Sequence, residues 1–135
     1  MIPIRGIDHV VLRAVNVEAM LRFYGDALGC TIERRQDDIG LIQLRAGSAL
    51  IDLVSVEGKL GRAGGAAPGT EGRNMDHFCL GVEPFNETTI RNQLAKHGWS
   101  AGPVEQRYGA NGHGPSMYVA DPEGNIVELK GPPNS

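Results

Sequence analysis

Two histidines occur in almost the same local sequence, one in each half of the chain. Residues 8–12 read Asp-His-Val-Val-Leu and residues 76–80 read Asp-His-Phe-Cys-Leu, so His9 and His77 are separated by about half of the 135-residue length. A repeated unit that brings a matched histidine to one centre can build a two-fold metal site. The chemistry that this pattern suggests is metal binding through imidazole.

A carboxylate occupies a matched position late in each half. Asp52 and Glu128 each lie between two apolar residues of a predicted strand. Because side chains alternate along a strand, each half places one histidine on its first strand and one carboxylate on its last, on the face away from the helix. A single strand histidine or carboxylate is usually structural or solvated, but four at matched positions favour a function. Such a set suits Zn, Ni, Co, Mn or Fe(II) and leaves room for a substrate whose oxygen or enolate the ion would stabilise.

The elements that must position these residues are predicted in the same order twice. Asn16 caps a predicted helix over 17–28 that Gly29 closes, and a second helix is predicted over about 86–97. Strands are predicted at 6–13, 30–36, 40–46, 49–56, 75–82, 100–107, 115–120 and 125–130. Each half is therefore β-α-β-β-β, which predicts the α+β class. Module 1 covers about 5–56 and module 2 about 74–131 of a single domain, 1–135. Between them, 57–73 holds six glycines and is predicted to be a linker or flap.

Composition narrows the function classes. Hydrophobic residues make up 41% and charged residues 21% of the chain, and the net charge is −3, which gives no basic face for nucleic acid. The apolar runs are too short to cross a membrane and the N-terminus lacks the pattern of a secretion signal. Two cysteines do not make a disulfide framework, so we expect a cytoplasmic protein.

The chain resembles the vicinal oxygen chelate superfamily, which includes glyoxalase I, methylmalonyl-CoA epimerase, fosfomycin-resistance enzymes, extradiol dioxygenases and bleomycin-binding proteins. The resemblance runs from about residue 5 to 130 and is most specific in 121–129, Asp-Pro-Glu-Gly-Asn-Ile-Val-Glu-Leu. It implies that the two modules form an open, cup-like mixed β-barrel with the helices outside. It also implies that His9, His77 and Glu128 bind a divalent metal.

One position departs from the glyoxalase pattern. Asp52 stands where glyoxalase I carries its other glutamate and the epimerases a glutamine, and aspartate is one methylene shorter. It could ligate the metal directly, act through water or support another ligand. A triad of His9, His77 and Glu128 alone is more similar to a dioxygenase or to a thiol transferase that acts on an antibiotic epoxide.

Three further residues are predicted to contact substrate. Arg13 follows His9 in a His-x-x-Leu-Arg pattern that resembles bacterial glyoxalase I, where the arginine helps to hold the carboxylate of glutathione. Residues 107–116 are predicted to form a glycine-rich loop that could close over a ligand, with His113 or Tyr108 reaching in. Tyr118 alternates on the next strand and could line either face.

The resemblance implies a metal-dependent lyase or isomerase of the glyoxalase type. Vicinal substrate oxygens would chelate the ion, which would stabilise an enediolate, and glutathione is a candidate co-substrate. Glu128 is the first candidate for the base and Asp52 the second. The alternatives are an Fe(II) extradiol-type dioxygenase, a thiol transferase and a non-catalytic drug-binding protein. We expect a small-molecule substrate and a homodimer, with the site formed within one chain or shared between two.

Overall fold

Each half of the chain folds as a strand, a helix and three further strands, in a computed structural model that describes residues 1–134. The chain divides into two compact units. The first consists of Met1–Gly25 and Gly29–Pro68, and the second of Asp26–Leu28 and the chain from Gly69 onward. The α+β class and the repeated βαβββ order are both confirmed.

The first unit carries a four-stranded mixed sheet in the order β1-β4-β3-β2. Its elements are β1 (His9–Ala14), α1 (Val17–Leu21), a π-helix (Arg22–Ala27), β2 (Thr31–Gln36), a 3-10 turn (Asp37–Ile39), β3 (Leu41–Ala46), β4 (Ala49–Ser55) and α2 (Lys59–Arg62). Strands β1 and β4 are parallel, while β3 is antiparallel to both of its neighbours. Helix α2 lies within the segment that the sequence predicted to be a linker or flap.

The second unit repeats this topology with the order β5-β8-β7-β6. Its elements are β5 (Phe78–Gly81), α3 (Glu87–Lys96), β6 (Glu105–Gly109), β7 (Gly112–Ala120) and β8 (Ile126–Lys130). Strands β5 and β8 are parallel, and the other pairs are antiparallel. Because the first and last strands of each unit are neighbours, a histidine at or just before the start of one lies on the same sheet edge as a carboxylate in the other.

The first predicted helix is confirmed at its start but is not one regular α-helix. The Asn16 side chain accepts a hydrogen bond from the backbone N–H of Ala19 at 3.0 Å, as an N-cap should. After Leu21 the helix widens into the π form, in which successive residues are separated by a smaller rotation. Phe23 and Tyr24, which are adjacent in sequence, are both fully buried there.

One face of each sheet forms a hydrophobic core. In the first unit the buried hydrophobic residues of this face lie on β1, β3 and β4, and they are Leu12, Ala14, Ile42, Leu44, Ile51 and Leu53. In the second unit they are Met117, Val119, Val127 and Leu129. The residues between them point to the opposite face of the sheet, which we call the ligand face of each unit.

The predicted glycine-rich loop at 107–116 is instead most of a β-hairpin. Strands β6 and β7 pair from Glu105 with Ser116 to Gly109 with Gly112. The prediction was wrong because Gly109 and Gly114 are positions of close packing within paired strands and not of a flexible loop. Gly114 lies where a Cβ would be 2.5 Å from a backbone oxygen, so no larger residue fits without a shift.

In the part of the chain that the structure describes, no helix is both long enough and apolar enough to cross a bilayer.

Candidate metal centre and ligand faces

Each of the two repeated histidines is hydrogen-bonded to the aspartate that precedes it. The distance is 2.7 Å from His9 Nδ1 to Asp8 Oδ1, and again 2.7 Å from His77 Nδ1 to Asp76 Oδ2. A carboxylate on Nδ1 fixes the tautomer in which Nδ1 carries the proton and Nε2 offers a lone pair. This is the outer support that metal-bound histidines usually have.

His77 and Glu128 form a close pair on the ligand face of the second unit. His77 directly precedes β5, and Cys79 of β5 lies beside Glu128 in the parallel β8. His77 is two residues earlier than Cys79, so both point to the face that carries Glu128. The distance from His77 Nε2 to Glu128 Oε1 is 3.2 Å, and Glu128 is buried at 6% exposure. The two atoms that a metal ion would bind are therefore already turned toward each other.

His9 and Asp52 share the ligand face of the first unit. Val11 of β1 lies beside Asp52 of β4, and His9 is two residues earlier on the same face. The hydrogen bond to Asp8 is the main cause that raises the pKa of His9 above its ordinary value. The negative charge of Asp52 adds to that rise, while partial burial opposes it.

Asp52 itself is held by the neighbouring strand. It is buried, and the amide nitrogen of Gln43, which lies directly across from it on β3, is 3.3 Å from Oδ1 and 3.2 Å from Oδ2. The Gln43 side chain therefore donates to the carboxylate that the sequence placed in the candidate ligand set.

Tyr118 lies on the ligand face of the second unit, directly across from Glu128. Its ring meets the His77 ring edge-on, with centroids 5.3 Å apart and planes at 79°. Burial is the main cause that raises the pKa of Tyr118, and the negative charge of Glu128 contributes. The predicted substrate residue is thus in contact with both members of the His77–Glu128 pair.

Cys79 lies beside Glu128 on the same face. Partial burial is the first cause, and the Glu128 charge the second, that raises the pKa of the Cys79 thiol to about 11. A thiol with this pKa is almost fully protonated at neutral pH and is a poor nucleophile.

Arg13 is occupied by the backbone of its own unit. Its guanidinium donates to the carbonyl oxygens of Gly61 at 3.0 Å, Gly65 at 2.6 Å and Ala66 at 3.0 Å. These bonds hold the segment that begins in α2. The predicted contact of Arg13 with a substrate carboxylate stays a prediction.

His113 lies on β7 five positions before Tyr118, which is an odd number of residues. Alternation therefore places its side chain on the face opposite to that of Tyr118 and Glu128. Its ring packs against the Tyr108 ring with centroids 4.9 Å apart, and Tyr108 is 75% exposed. A role of His113 in substrate binding also stays a prediction.

Two cations on the ligand face of the second unit were missed by the sequence reasoning. Arg107 of β6 lies with its guanidinium carbon 4.4 Å from the centroid of the Tyr118 ring. Lys130 lies two residues after Glu128 on β8 and is buried. The sequence could have placed Lys130 on the same face as Glu128, because the two residues alternate on one strand. It contains no local signal for the pairing of β6 with β7 that brings Arg107 to Tyr118.

The donor chemistry suits a divalent ion, although the structure brings the ligands together only in part. It pairs His77 with Glu128, whereas Asp52 is paired with Gln43. Within residues 1–134 no group of three or more histidine, cysteine, aspartate and glutamate side chains is close enough to hold a metal ion. The imidazole and carboxylate of the His77–Glu128 pair, with Asp76 behind the imidazole, fit a borderline metal.

Comparison with known proteins identifies relatives. A sequence model of the Glyoxalase/Bleomycin resistance protein/Dioxygenase superfamily matches residues 6–129. Virulence protein STM3117 of Salmonella typhimurium is 31% identical over 125 residues, which covers 91% of this chain and 81% of the relative.

Solved structures show the same fold. The crystal structure of the Salmonella protein superposes with a TM-score of 0.75 and 25% identity in the structural alignment, covering 98% of this chain and 99% of the other. A glyoxalase-related enzyme from Fulvimarina pelagi has a TM-score of 0.65 at 23% identity, with 95% and 88% covered. Lactoylglutathione lyase from Agrobacterium tumefaciens has a TM-score of 0.64 at 20% identity, with 96% and 95% covered.

Proposed function

This chain belongs to the Glyoxalase/Bleomycin resistance protein/Dioxygenase superfamily, and from that premise we propose that it is a divalent-metal-dependent lyase or isomerase of the glyoxalase type. The observation that carries the proposal is the His77–Glu128 pair. Nε2 and Oε1 are 3.2 Å apart, and Asp76 supports the imidazole from behind at 2.7 Å. Family resemblance adds His9 to the ligand set, with Asp52 as a fourth candidate, from the same chain or from a second copy.

The proposed reaction moves a proton at a carbon next to a substrate carbonyl. A bound divalent ion would supply Lewis-acid polarisation of the substrate oxygens. Glu128 would take the proton from carbon and return it to the neighbouring carbon. Its burial excludes water from that exchange, and Tyr118, directly across the sheet, would hold the carboxylate in place.

We also propose a substrate class, a co-substrate, an oligomeric state and a cellular compartment. The substrate is a small molecule with oxygens on adjacent carbons, and glutathione is the proposed co-substrate of a hemithioacetal reaction. We propose a homodimer, which sedimentation would test. Cys30 and Cys79 are free thiols, as expected in the reducing cytoplasm that we propose.

Metal titration of the purified full chain tests the ligand assignment. We expect the wild-type protein to bind a divalent ion and His77→Ala to bind it at least about 100-fold more weakly, since the imidazole ligand is lost and Asp76 no longer has a ligand to support. His97→Ala is the matched control, because His97 lies at the end of α3, far along the chain from the pair, and its removal should leave affinity unchanged. Full metal occupancy in His77→Ala would reject the assignment.

Activity with the metal found then tests the reaction class. We expect turnover of a hemithioacetal by the wild-type protein and loss of turnover in Glu128→Gln. A protein that binds metal fully but turns over no hemithioacetal would keep the site and reject the glyoxalase reaction. A protein that takes up no metal would instead favour the non-catalytic drug-binding alternative.

A specific observation favours a second candidate, an Fe(II) dioxygenase. Because both oxygens of Asp52 accept from Gln43, the remaining candidate ligands are two histidines and one carboxylate, the composition of the non-haem iron triad. Reconstitution with Fe(II) without oxygen, followed by oxygen uptake with catechols, separates the two enzymes. The thiol-transferase alternative would be tested with an epoxide and a thiol.

A further inference from the structure

We propose that Arg107 binds an anionic group of the ligand, a carboxylate or a phosphate, on the ligand face of the second unit. The identification of that ligand as the substrate rests on the proposed function, but the binding of an oxyanion does not. Four observations carry the proposal: the place of Arg107, its fixed geometry, its remaining donors and its exposure.

Arg107 lies one aromatic ring away from the His77–Glu128 pair. Its guanidinium carbon is 4.4 Å from the centroid of the Tyr118 ring, and that ring is 5.3 Å from the centroid of His77. A small ligand that reaches His77 and Glu128 can therefore extend across Tyr118 to the guanidinium. Tyr118 thus links the pair to the cation, and an aromatic side chain beside a few convergent polar groups is usual in small-molecule sites.

The guanidinium is held in position before any ligand arrives. Its Nη1 donates to the backbone oxygen of Ser116 at 3.0 Å and to the Ser116 hydroxyl at 2.7 Å, and Nη2 donates to Glu105 at 3.0 Å. Ser116 is fully buried, so this anchor is rigid. A cation that is oriented in advance loses little conformational freedom when it binds.

Donors remain for a ligand. Arginine has five N–H groups and stays charged in proteins. Among the described residues these three bonds involve Nη1 and Nη2 and none involves Nε, so Nε and one hydrogen of Nη2 are left. The Glu105 side chain is 62% exposed, and such a solvated ion pair is weak enough for a ligand oxyanion to compete with it.

Exposure separates Arg107 from the other cation of this face. The Arg107 side chain is 23% exposed. Lys130 is 8% exposed, and its stem runs beside Gly109, where a Cβ would be 2.9 Å from Cε. Its ammonium has an acceptor in its own backbone neighbour, Gly131, at 3.4 Å. Arg107 is therefore the cation that a ligand can reach, and Lys130 adds positive potential behind it.

Equilibrium binding of two probes, succinate and inorganic phosphate, tests the proposal on the full chain, both as purified and after treatment with a chelator. We expect at least one probe to bind, and Arg107→Met to weaken it about tenfold or more, because hydrogen bonds to charged groups contribute about 1.5–3 kcal/mol each. Arg107→Lys keeps the charge but loses the planar fork, so it should bind with intermediate affinity. The preferred probe identifies the class of oxyanion.

Arg45→Met is the matched control. Arg45 is also a strand arginine paired with a glutamate, Glu33, but it belongs to the first unit. Its loss should leave probe binding unchanged. The proposal is overturned if neither probe binds the wild-type chain, if Arg107→Met that melts like wild type binds as tightly, or if Lys130→Met alone abolishes binding. If His77→Ala loses the metal but still binds the probe through Arg107, the oxyanion site stands independently of the proposed metal-dependent function.

Discussion

Replacing Arg13 with methionine should free the segment that follows β4. The guanidinium makes three hydrogen bonds to carbonyl oxygens of residues 61–66, and methionine keeps most of the aliphatic stem while removing every donor. The substitution also asks whether this arginine supports structure, as its contacts indicate, or holds a substrate carboxylate, as its sequence context predicts.

The free energy that the Arg13 hydrogen bonds contribute depends on how far each of the three is exposed to solvent. The bond to Gly61 is partly buried, and a hydrogen bond from a charged donor in such a place contributes about 1.5 kcal/mol. The bonds to Gly65 and Ala66 are exposed, so solvent screening leaves about 0.3 kcal/mol for each. The total, about 2 kcal/mol, corresponds to roughly a 30-fold change in the population of the opened segment.

Amide hydrogen exchange measures that opening directly. The backbone N–H groups of Arg62, Gly64 and Gly65 donate to carbonyls within the segment, so their exchange reports on it. We expect them to exchange about 30-fold faster in Arg13→Met when opening is local and exchange follows its equilibrium. Arg62→Met, which removes an exposed arginine of the same segment, should leave them unchanged. Unchanged protection from amide exchange in Arg13→Met would refute the structural role and would favour the predicted contact of Arg13 with a substrate carboxylate.

Three further predictions concern packing, charge and metal affinity. Gly61→Ala should destabilise the fold by about 1–3 kcal/mol in thermal melts, because the new Cβ would lie 1.8 Å from a backbone oxygen and this clash outweighs the gain in helix propensity of about 1 kcal/mol. Gly69→Ala, where nothing lies within 4 Å, should melt like wild type. Arg45→Gln should raise the lowered pKa of Glu33 in a carbon NMR titration, since the Arg45 hydrogen bond is its main cause. The Arg45–Glu33 pair stabilises the fold above the unfolded pKa of the Glu33 carboxyl and ceases to do so as pH falls through the folded pKa. An unchanged Glu33 pKa in Arg45→Gln would contradict this assignment. Asp76→Asn should weaken metal binding about tenfold in a competitive titration, and unchanged affinity would count against the supporting role of Asp76.

Local signals in the sequence predicted most of the fold. Asn16 was recognised as a cap because a short side-chain oxygen can accept from the first turn of a helix, and the structure has that bond. Alternation of apolar and polar residues identified the strands, and their repeated order identified two matching units. These features depend on neighbours within a few positions, which a single sequence contains.

The features that the sequence did not reveal depend on pairing between distant residues. The hairpin of β6 and β7 was predicted as a loop because its glycines were interpreted as flexibility. Gly109 and Gly114 instead leave room for Lys130 and for the backbone of Gly131 and Pro132. The carbonyls that occupy Arg13 lie some fifty positions away along the chain. No local pattern in the sequence indicates such contacts, and the substrate role that the sequence context of Arg13 suggests stays a prediction.

The two units keep the same histidine support but differ at the carboxylate. In both, an aspartate lies 2.7 Å from Nδ1 of the histidine that follows it. Asp52, one methylene shorter, receives the Gln43 amide from the next strand on both oxygens, whereas Glu128 extends an oxygen to 3.2 Å from the histidine nitrogen that a metal would bind. The longer side chain therefore reaches the histidine of its own unit, while the shorter one is held by the glutamine of the neighbouring strand. This difference favours Glu128 over Asp52 as the proposed ligand and base.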